Sequence, residues 1–126
     1  MTKDEAKIYP EAVYYSKRVS RSGHQRVFKK LLPDGEATEL SPKPSQKLAF
    51  HSPEFNYGYS GSGPAQLALA LLLDATTVPE TALAFYQYFK QDMVSRWDKK
   101  FLITRSEILL WIAEEQKREL ESVNQN

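Results

Sequence analysis

The amino-acid sequence predicts an α+β fold in which an antiparallel sheet of three to four strands packs against three helices. The first half of the chain is rich in Val, Tyr, Phe and Leu, lacks helical periodicity and contains turn signals, as strands and hairpins do. The second half has helical periodicity and two capping-box patterns. The short connections between strands favour pairing of neighbours and therefore an antiparallel meander.

Four segments are candidate strands, and a turn signal separates the second from the third. These segments are Ala12–Val19, Gln25–Leu32, Glu36–Leu40 and, as a candidate fourth strand, Lys47–Phe50. The turn signal is Pro33-Asp34-Gly35, in which proline fixes φ and glycine accepts a positive φ. The Pro/Ser-rich stretch before Lys47 reads as a connection inside the domain.

Three helices are predicted in the second half. The first opens at Gly63-Pro64, with Gln66 placed to cap back, and its body AQLALALLLD is apolar on every side, so we expect it to be buried. The second begins with the capping-box spacing Thr77–Glu80 and runs to about Trp97. The third begins with a second capping box, Thr104–Glu107, and ends in a charged, solvated extension.

Composition excludes several classes of protein. The chain has 126 residues, of which 26% are charged and 41% hydrophobic, as in soluble globular domains. It contains no cysteine, which excludes a disulfide framework, a Cys-ligated zinc site and a cysteine nucleophile. The net charge of +1 favours neither a nucleic-acid coat nor an acidic mimic.

One domain is expected over residues 11–122, between a flexible N-terminus at 1–10 and a flexible tail at 123–126. The polar start MTKDEAKIYP lacks the apolar core of a signal peptide. The longest apolar run, Leu67–Leu73, is far shorter than the roughly 20 residues of a membrane span. These features predict a cytoplasmic protein without membrane contact.

A glycine-rich segment precedes the apolar helix. Its backbone N–H groups, together with the helix N-terminus, would suit an anion, although the spacing matches neither a P-loop nor a dinucleotide-binding fingerprint. The alternative is a tight turn anchored by two tyrosines. The candidate ligand- or partner-binding residues are His51, Tyr57, Tyr59, Ser60, Gly61, Ser62 and Gln66.

The stretch HSPEFNYGYSGSGPAQLALALLLD resembles the signature of a bacterial domain family of unknown function. The resemblance extends from about Leu48 to Ile112 and includes the stretch Ala82–Lys90. Tyr57 stands where the family usually has Trp, and Ser60 replaces a usual Gly. The resemblance implies a shared fold and a small accessory protein of mobile genes, such as phage, plasmid or cassette DNA, and it implies no known activity.

No complete catalytic constellation is evident. Ser60 or Ser62 with His51 would make a nucleophile and a base, but the glycine spacing breaks the nucleophile-elbow pattern. His24 reads as a solvated residue of a hairpin turn. No metal-ligand spacing of histidines is present, so we expect no metal and no cofactor.

Six basic residues and no acidic residue lie between Tyr14 and Leu32. They are Lys17, Arg18, Arg21, Arg26, Lys29 and Lys30. Aromatic residues interleave with them, so the hairpin would bind nucleic acid by phosphate contacts and stacking. The alternative is an edge hairpin kept soluble by lysine and arginine.

The leading interpretation is a non-catalytic, protein-binding accessory factor of a mobile or cassette gene. Tyr88 and Trp111 would be natural contact residues if exposed, and a homodimer is compatible with this interpretation. Two alternatives stay open. They are nucleic-acid binding through the basic hairpin 17–30 and a phosphate- or nucleotide-handling enzyme at Gly58–Gly63.

Overall fold

The computed structural model describes residues 10–17 and 25–124. Along the chain, the strands are β1 Ala12–Lys17, β2 Arg26–Leu31, β3 Ala37–Glu39 and β4 Leu102–Thr104. The helices are α1 Lys43–Leu48, α2 Ser62–Thr76, α3 Pro79–Asp92 and α4 Arg105–Asn124, with a 3₁₀ turn at Val94–Arg96. The predicted α+β class, with an antiparallel sheet and several helices, is confirmed. Most of the predicted flexible N-terminus lies outside the described residues.

The four strands form one antiparallel sheet in the order β3-β2-β1-β4. The meander of the first three strands follows from their short connections, and Tyr14 lies opposite Lys29 in the β1–β2 ladder. On its other side β1 pairs with β4, where Val13 lies opposite Thr104. This second pairing joins parts of the chain that are far apart in sequence, and it makes β1 an interior strand.

The prediction of a fourth strand at Lys47–Phe50 is wrong. Lys47 lies in the last turn of α1, and Phe50 follows that helix as an exposed residue. Prolines in the first turn favour a helix start, and the Ser45 hydroxyl donates a 2.7 Å hydrogen bond to the Pro42 carbonyl. The fourth strand is β4, at residues expected to lie at the entrance of the last helix.

Helix α2 lies at the centre of the core. All of its apolar residues except the partly buried Leu73 are buried, and Leu67, Leu69, Leu71 and Leu72 are fully inaccessible to solvent. One face of the sheet contributes to the same core through buried residues. They are Ala12, Tyr14, Val27 and Ile103. The prediction that the first of the three expected helices is buried is therefore confirmed, as its apolar composition requires.

The boundary between α2 and α3 differs from the predicted capping box. Thr77 has a positive φ of 58° and ends α2, and its N–H donates to the Leu73 carbonyl at 2.8 Å. Val78 occupies the N-cap position of α3 without a side-chain cap. Helix α3 ends at Asp92 rather than near Trp97. The prediction that Thr77 caps α3 is wrong because this residue ends α2 and reverses the chain before α3.

The second predicted capping box, at the start of α4, is confirmed. The Glu107 N–H donates to the Thr104 hydroxyl at 3.1 Å, and the Thr104 N–H donates to Glu107 Oε1 at 2.9 Å. This reciprocal pair satisfies backbone donors at the helix entrance. None of the helices described combines the length and the apolar character needed to cross a bilayer.

Candidate functional site

The side chain of Gln66 organises the segment that precedes α2. It is 0% exposed, and its Oε1 accepts hydrogen bonds from the backbone N–H of His51 at 2.7 Å and of Ser52 at 3.0 Å. Its Nε2 donates to the Ser45 hydroxyl at 2.9 Å and to the Ala49 carbonyl at 3.2 Å. Gln66 therefore fixes the chain segment that precedes α2. The expectation that its side chain caps the start of its own helix is wrong. Its amide uses both donors and both acceptor positions inside the protein.

The imidazole of His51 is anchored by a second contact. Its Nε2 lies 2.7 Å from the hydroxyl of Tyr86, a buried residue of α3. The two rings are tilted against one another at a centroid distance of 5.5 Å. His51 thus bridges the loop and α3, which is a structural role for a candidate binding residue.

Tyr57 and Gly58 attach the glycine-rich turn to the core. Tyr57 is buried, its hydroxyl donates to the Lys99 carbonyl at 2.9 Å, and its ring packs edge-on against Phe101. Gly58 has a φ of +88°, and its N–H donates to the Val94 carbonyl at 3.0 Å. This part of the candidate site is an anchored turn, as the alternative interpretation of the glycines predicts.

The outer part of the turn faces solvent. Ser60 and Ser62 are exposed, and Tyr59 is 48% exposed. The Tyr59 ring lies over the backbone of Gly61, where an added Cβ would come within 2.7 Å of it. Tyr59 is consequently an exposed aromatic side chain held on a fixed piece of backbone.

The described residues do not assemble a serine–histidine pair. No hydrogen bond joins His51 to Ser60 or Ser62 in this part of the chain, and the His51 Nε2 is engaged by Tyr86. Across residues 10–17 and 25–124, no group of three or more His, Asp or Glu side chains is placed to hold a metal ion.

The basic hairpin is divided between the two faces of the sheet. Lys29 points to the helical side, where its Nζ lies 2.7 Å from Oδ2 of Asp74. Arg26 points to the other side and makes two hydrogen bonds to Glu39, which raise the pKa of the guanidinium. The predicted patch is therefore smaller than the sequence suggests. Its members Arg18 and Arg21, like His24, lie outside the described residues.

The second face of the sheet is not covered by the described helices. Every fully buried strand residue belongs to the helical side, whereas the alternate positions are exposed or partly exposed. We call this surface the open sheet face. Its residues are Val13, Tyr15, Lys17, Arg26, Phe28, Lys30, Ala37, Glu39, Leu102 and Thr104.

An aromatic pair lies in the middle of the open sheet face. Tyr15 and Phe28 are opposite one another in the β1–β2 ladder and stack with a centroid distance of 6.0 Å and an interplanar angle of 25°. Two cations lie over Phe28, the Lys17 Nζ at 5.6 Å and the Arg26 guanidinium at 5.1 Å from the ring centroid. The face thus combines partly exposed π-surfaces with positive charge.

A partly buried group of charges, here called the Asp74 cluster, lies on the helical side of the sheet. Asp74 Oδ2 accepts a 2.6 Å hydrogen bond from the Tyr14 hydroxyl and lies 2.7 Å from Lys29 Nζ and 3.8 Å from the guanidinium of Arg105. Burial, reinforced by the hydrogen bond and the charge of Asp74, raises the pKa of Tyr14. Lys29, Asp74 and Arg105 also line an open cavity of about 470 Å³ beside Thr77.

Sequence reasoning missed the Asp74 cluster. The local signal is a carboxylate at the end of the apolar run AQLALALLLD, where a partly buried charge is stabilised by a partner. The partners come from three other elements, so their identity follows only from the fold.

Comparison with protein families shows that the chain belongs to the family of unknown function DUF6166, whose model matches residues 15–114. Comparison with curated proteins and with solved structures found no match. Membership confirms the expected relation to a family of unknown function. The match includes the segment from His51 to Gln66 and the open sheet face except Val13, which precedes it.

Proposed function

We propose that the protein is a non-catalytic binding protein whose open sheet face binds single-stranded nucleic acid. The observation that carries this proposal is the stacked pair Tyr15 and Phe28 with Lys17 and Arg26 beside it. Unpaired bases stack on aromatic side chains, and neighbouring cations contact the phosphates. A four-stranded sheet with one open face supplies a flat platform for such stacking.

The charge of the face supports the same proposal. Lys17 and Lys30 have no ion-pair partner among the described residues, whereas Arg26 shares its charge with Glu39. The β1–β2 connection adds Arg18 and Arg21 to the sequence of the hairpin and adds no acidic residue. A short single strand of a few nucleotides fits this number of cations.

The experiment is fluorescence anisotropy with labelled single-stranded 20-nucleotide DNA and RNA and a duplex control. Phe28→Leu keeps apolar packing but removes the aromatic surface, and we expect it to weaken single-strand binding about tenfold, since base stacking contributes about 1–3 kcal/mol per base. Tyr88→Leu is the matched control, because Tyr88 is an exposed tyrosine of α3 away from the sheet.

Charge reversal gives a second readout. Lys17→Glu with Lys30→Glu is expected to abolish binding and to flatten its salt dependence, whereas Lys47→Glu, an exposed lysine of α1, changes neither. Lys29 is unsuitable for this test because it pairs with Asp74. Absent binding at 100 mM salt, or equal losses in the Phe28 and Tyr88 variants, would overturn the proposal.

A second candidate function is contact with a protein partner through the exposed turn. Tyr59, half exposed on a turn that Tyr57 and Gly58 anchor, favours it, because ordered exposed tyrosines often anchor interfaces. Tyr88 is also exposed, whereas Trp111 is half-buried between Phe85 and Phe89 and is unsuited to contact. An accessory role in a mobile or cassette gene accords with the signature resemblance.

Affinity capture from cells distinguishes the two candidates. A partner lost in Tyr59→Ala and kept in Phe28→Leu after nuclease treatment would favour protein contact. Co-purifying material that nuclease removes, and that Phe28→Leu also removes, would favour nucleic acid.

A further inference from the structure

The last turns of α4, from Gln116 to Val123, are exposed at every residue. Three residues of its first half, Arg105, Ile108 and Ile112, are buried against the body of the domain. From Ala113 to Val123 only Glu115 is partly buried, with a side chain 14% exposed. A helical segment of this length is marginal in water by itself, because most helical stability in proteins comes from tertiary packing.

The exposed side of α4 carries a regular stripe. Its members recur at alternating intervals of four and three residues, which is the heptad spacing of a helix that packs against another helix. We call it the α4 stripe, and it consists of Leu109, Ala113, Gln116, Leu120 and Val123. All five are exposed, so this chain leaves the stripe uncovered.

We propose that the α4 stripe binds the same stripe of a second copy of this chain in an antiparallel helix pair. The heptad positions then place Leu109 against Leu120 of the second copy and Ala113 against Gln116. In the two central layers a small side chain faces a large one, so a long glutamine fills the space left by an alanine. The two Gln116 amides lie on either side of the two-fold axis, within reach of each other.

The antiparallel orientation covers what each chain leaves exposed. The unsupported last turns of one helix pack on the supported first half of the other, so each helix arm rests on a folded body. The exposed face of α4 formed by Gln116, Glu119, Leu120 and Val123 receives Leu109 of the second copy. A parallel pair would place alanine on alanine and align the two helix dipoles unfavourably.

The size of the surface sets the expected affinity. Two such stripes with their flanks remove roughly 1,000 Å² of total surface from water, which is the lower limit of specific interfaces. We therefore expect a reversible dimer with a Kd of about 10–100 μM, since interfaces of this size are weak unless they contain strong anchor residues.

The test is sedimentation equilibrium of the full chain from 5 to 500 μM. Leu120→Lys is expected to leave a monomer at every concentration. Leu102→Lys is the matched control, since Leu102 is 67% and Leu120 65% exposed, and it is expected to dimerise like the unmodified chain. Circular dichroism of both variants verifies the fold. A monomer at 500 μM, or a dimer that Leu120→Lys leaves intact, would overturn the proposal.

Cysteine cross-linking tests the orientation, because the chain has no cysteine of its own. Leu109→Cys and Leu120→Cys, oxidised separately, are expected to give no covalent dimer, whereas an equimolar mixture of the two gives one. Cross-linking of each variant with itself would show a parallel pair and contradict the proposed register. Sheet-face variants such as Phe28→Leu leave this readout unchanged, so it is independent of the proposed function.

Discussion

The Oε1 atom of Gln66 accepts a 2.7 Å hydrogen bond from the backbone N–H of His51, 15 residues earlier in the chain. Through this contact, the central helix holds the segment that leads to it. The Tyr86 hydroxyl holds the His51 side chain at the same time. A short polar network therefore connects α2, α3 and the loop between α1 and α2 inside the protein.

Replacing Gln66 by Leu should destabilise the protein by about 3 kcal/mol, because it leaves buried backbone and hydroxyl groups without partners. The measurement is urea unfolding followed by circular dichroism. Gln87→Leu is the control, since Gln87 is an exposed residue of α3. A loss below about 1 kcal/mol for Gln66→Leu would show that the loop satisfies these groups in another way.

The free energy of unfolding should decrease in strongly alkaline solution because the Tyr14 hydroxyl is buried in the folded protein. Burial, with the hydrogen bond to and the charge of Asp74, raises the pKa of Tyr14 in the folded state above the ordinary value of 10.0. As pH rises, Tyr14 therefore loses its hydroxyl proton in the unfolded chain before it loses it in the folded protein. The stabilisation is complete below pH 10 and decreases as pH rises above it, by up to about 1.4 kcal/mol per pH unit.

Urea unfolding of Tyr14→Phe between pH 8 and 11 measures this contribution. We expect the difference from the unmodified protein to shrink as pH rises above about 10. Tyr88→Phe, which changes an exposed hydroxyl, should follow the unmodified protein at each pH. A pH-independent difference for Tyr14→Phe would contradict the expected linkage.

Gly58→Ala should lower the free energy of unfolding by about 2 kcal/mol. The φ of Gly58 is +88°, and a Cβ there would lie 2.8 Å from the Trp97 carbonyl oxygen, which is part of the backbone. Gly61→Ala is the matched control, because Gly61 has an extended φ of −178° and its Cβ would meet only the movable Tyr59 ring. Thermal unfolding of both variants measures the difference. An equal loss of stability in Gly58→Ala and Gly61→Ala would contradict the role assigned to the positive φ and the backbone contact at Gly58.

Local signals predicted the elements whose determinants are close in sequence. The apolar run after Gly63-Pro64 indicated a buried helix, and Thr104 with Glu107 indicated a helix start. Strand β4 escaped prediction because three residues carry little pattern and their pairing with β1 comes from the distant end of the chain. At Thr77 the capping pattern was present, but tertiary structure used the residue to end the preceding helix.

The candidate site was predictable only in part. The sequence singled out His51 and Gln66, but it could not show that their polar groups are consumed inside the protein. The basic residues were visible as a group. Their division between the Asp74 cluster and the open sheet face depends on which strand positions face α2. Because side chains alternate between the two faces of the sheet along β2, the basic residues can be divided between the faces in only two ways. Which of the two forms depends on which face packs against the core.

The pairing of β1 with β4 has a consequence for biosynthesis. A ribosome delivers β1 early, but the second neighbour of this strand, residues 102–104, is made only after α2 and α3. Until then the nascent chain exposes one side of β1, a strand edge able to pair with other chains. Chains that stall before Leu102 should therefore be the ones that aggregate or recruit chaperones, and translation through β4 is the step that closes the sheet.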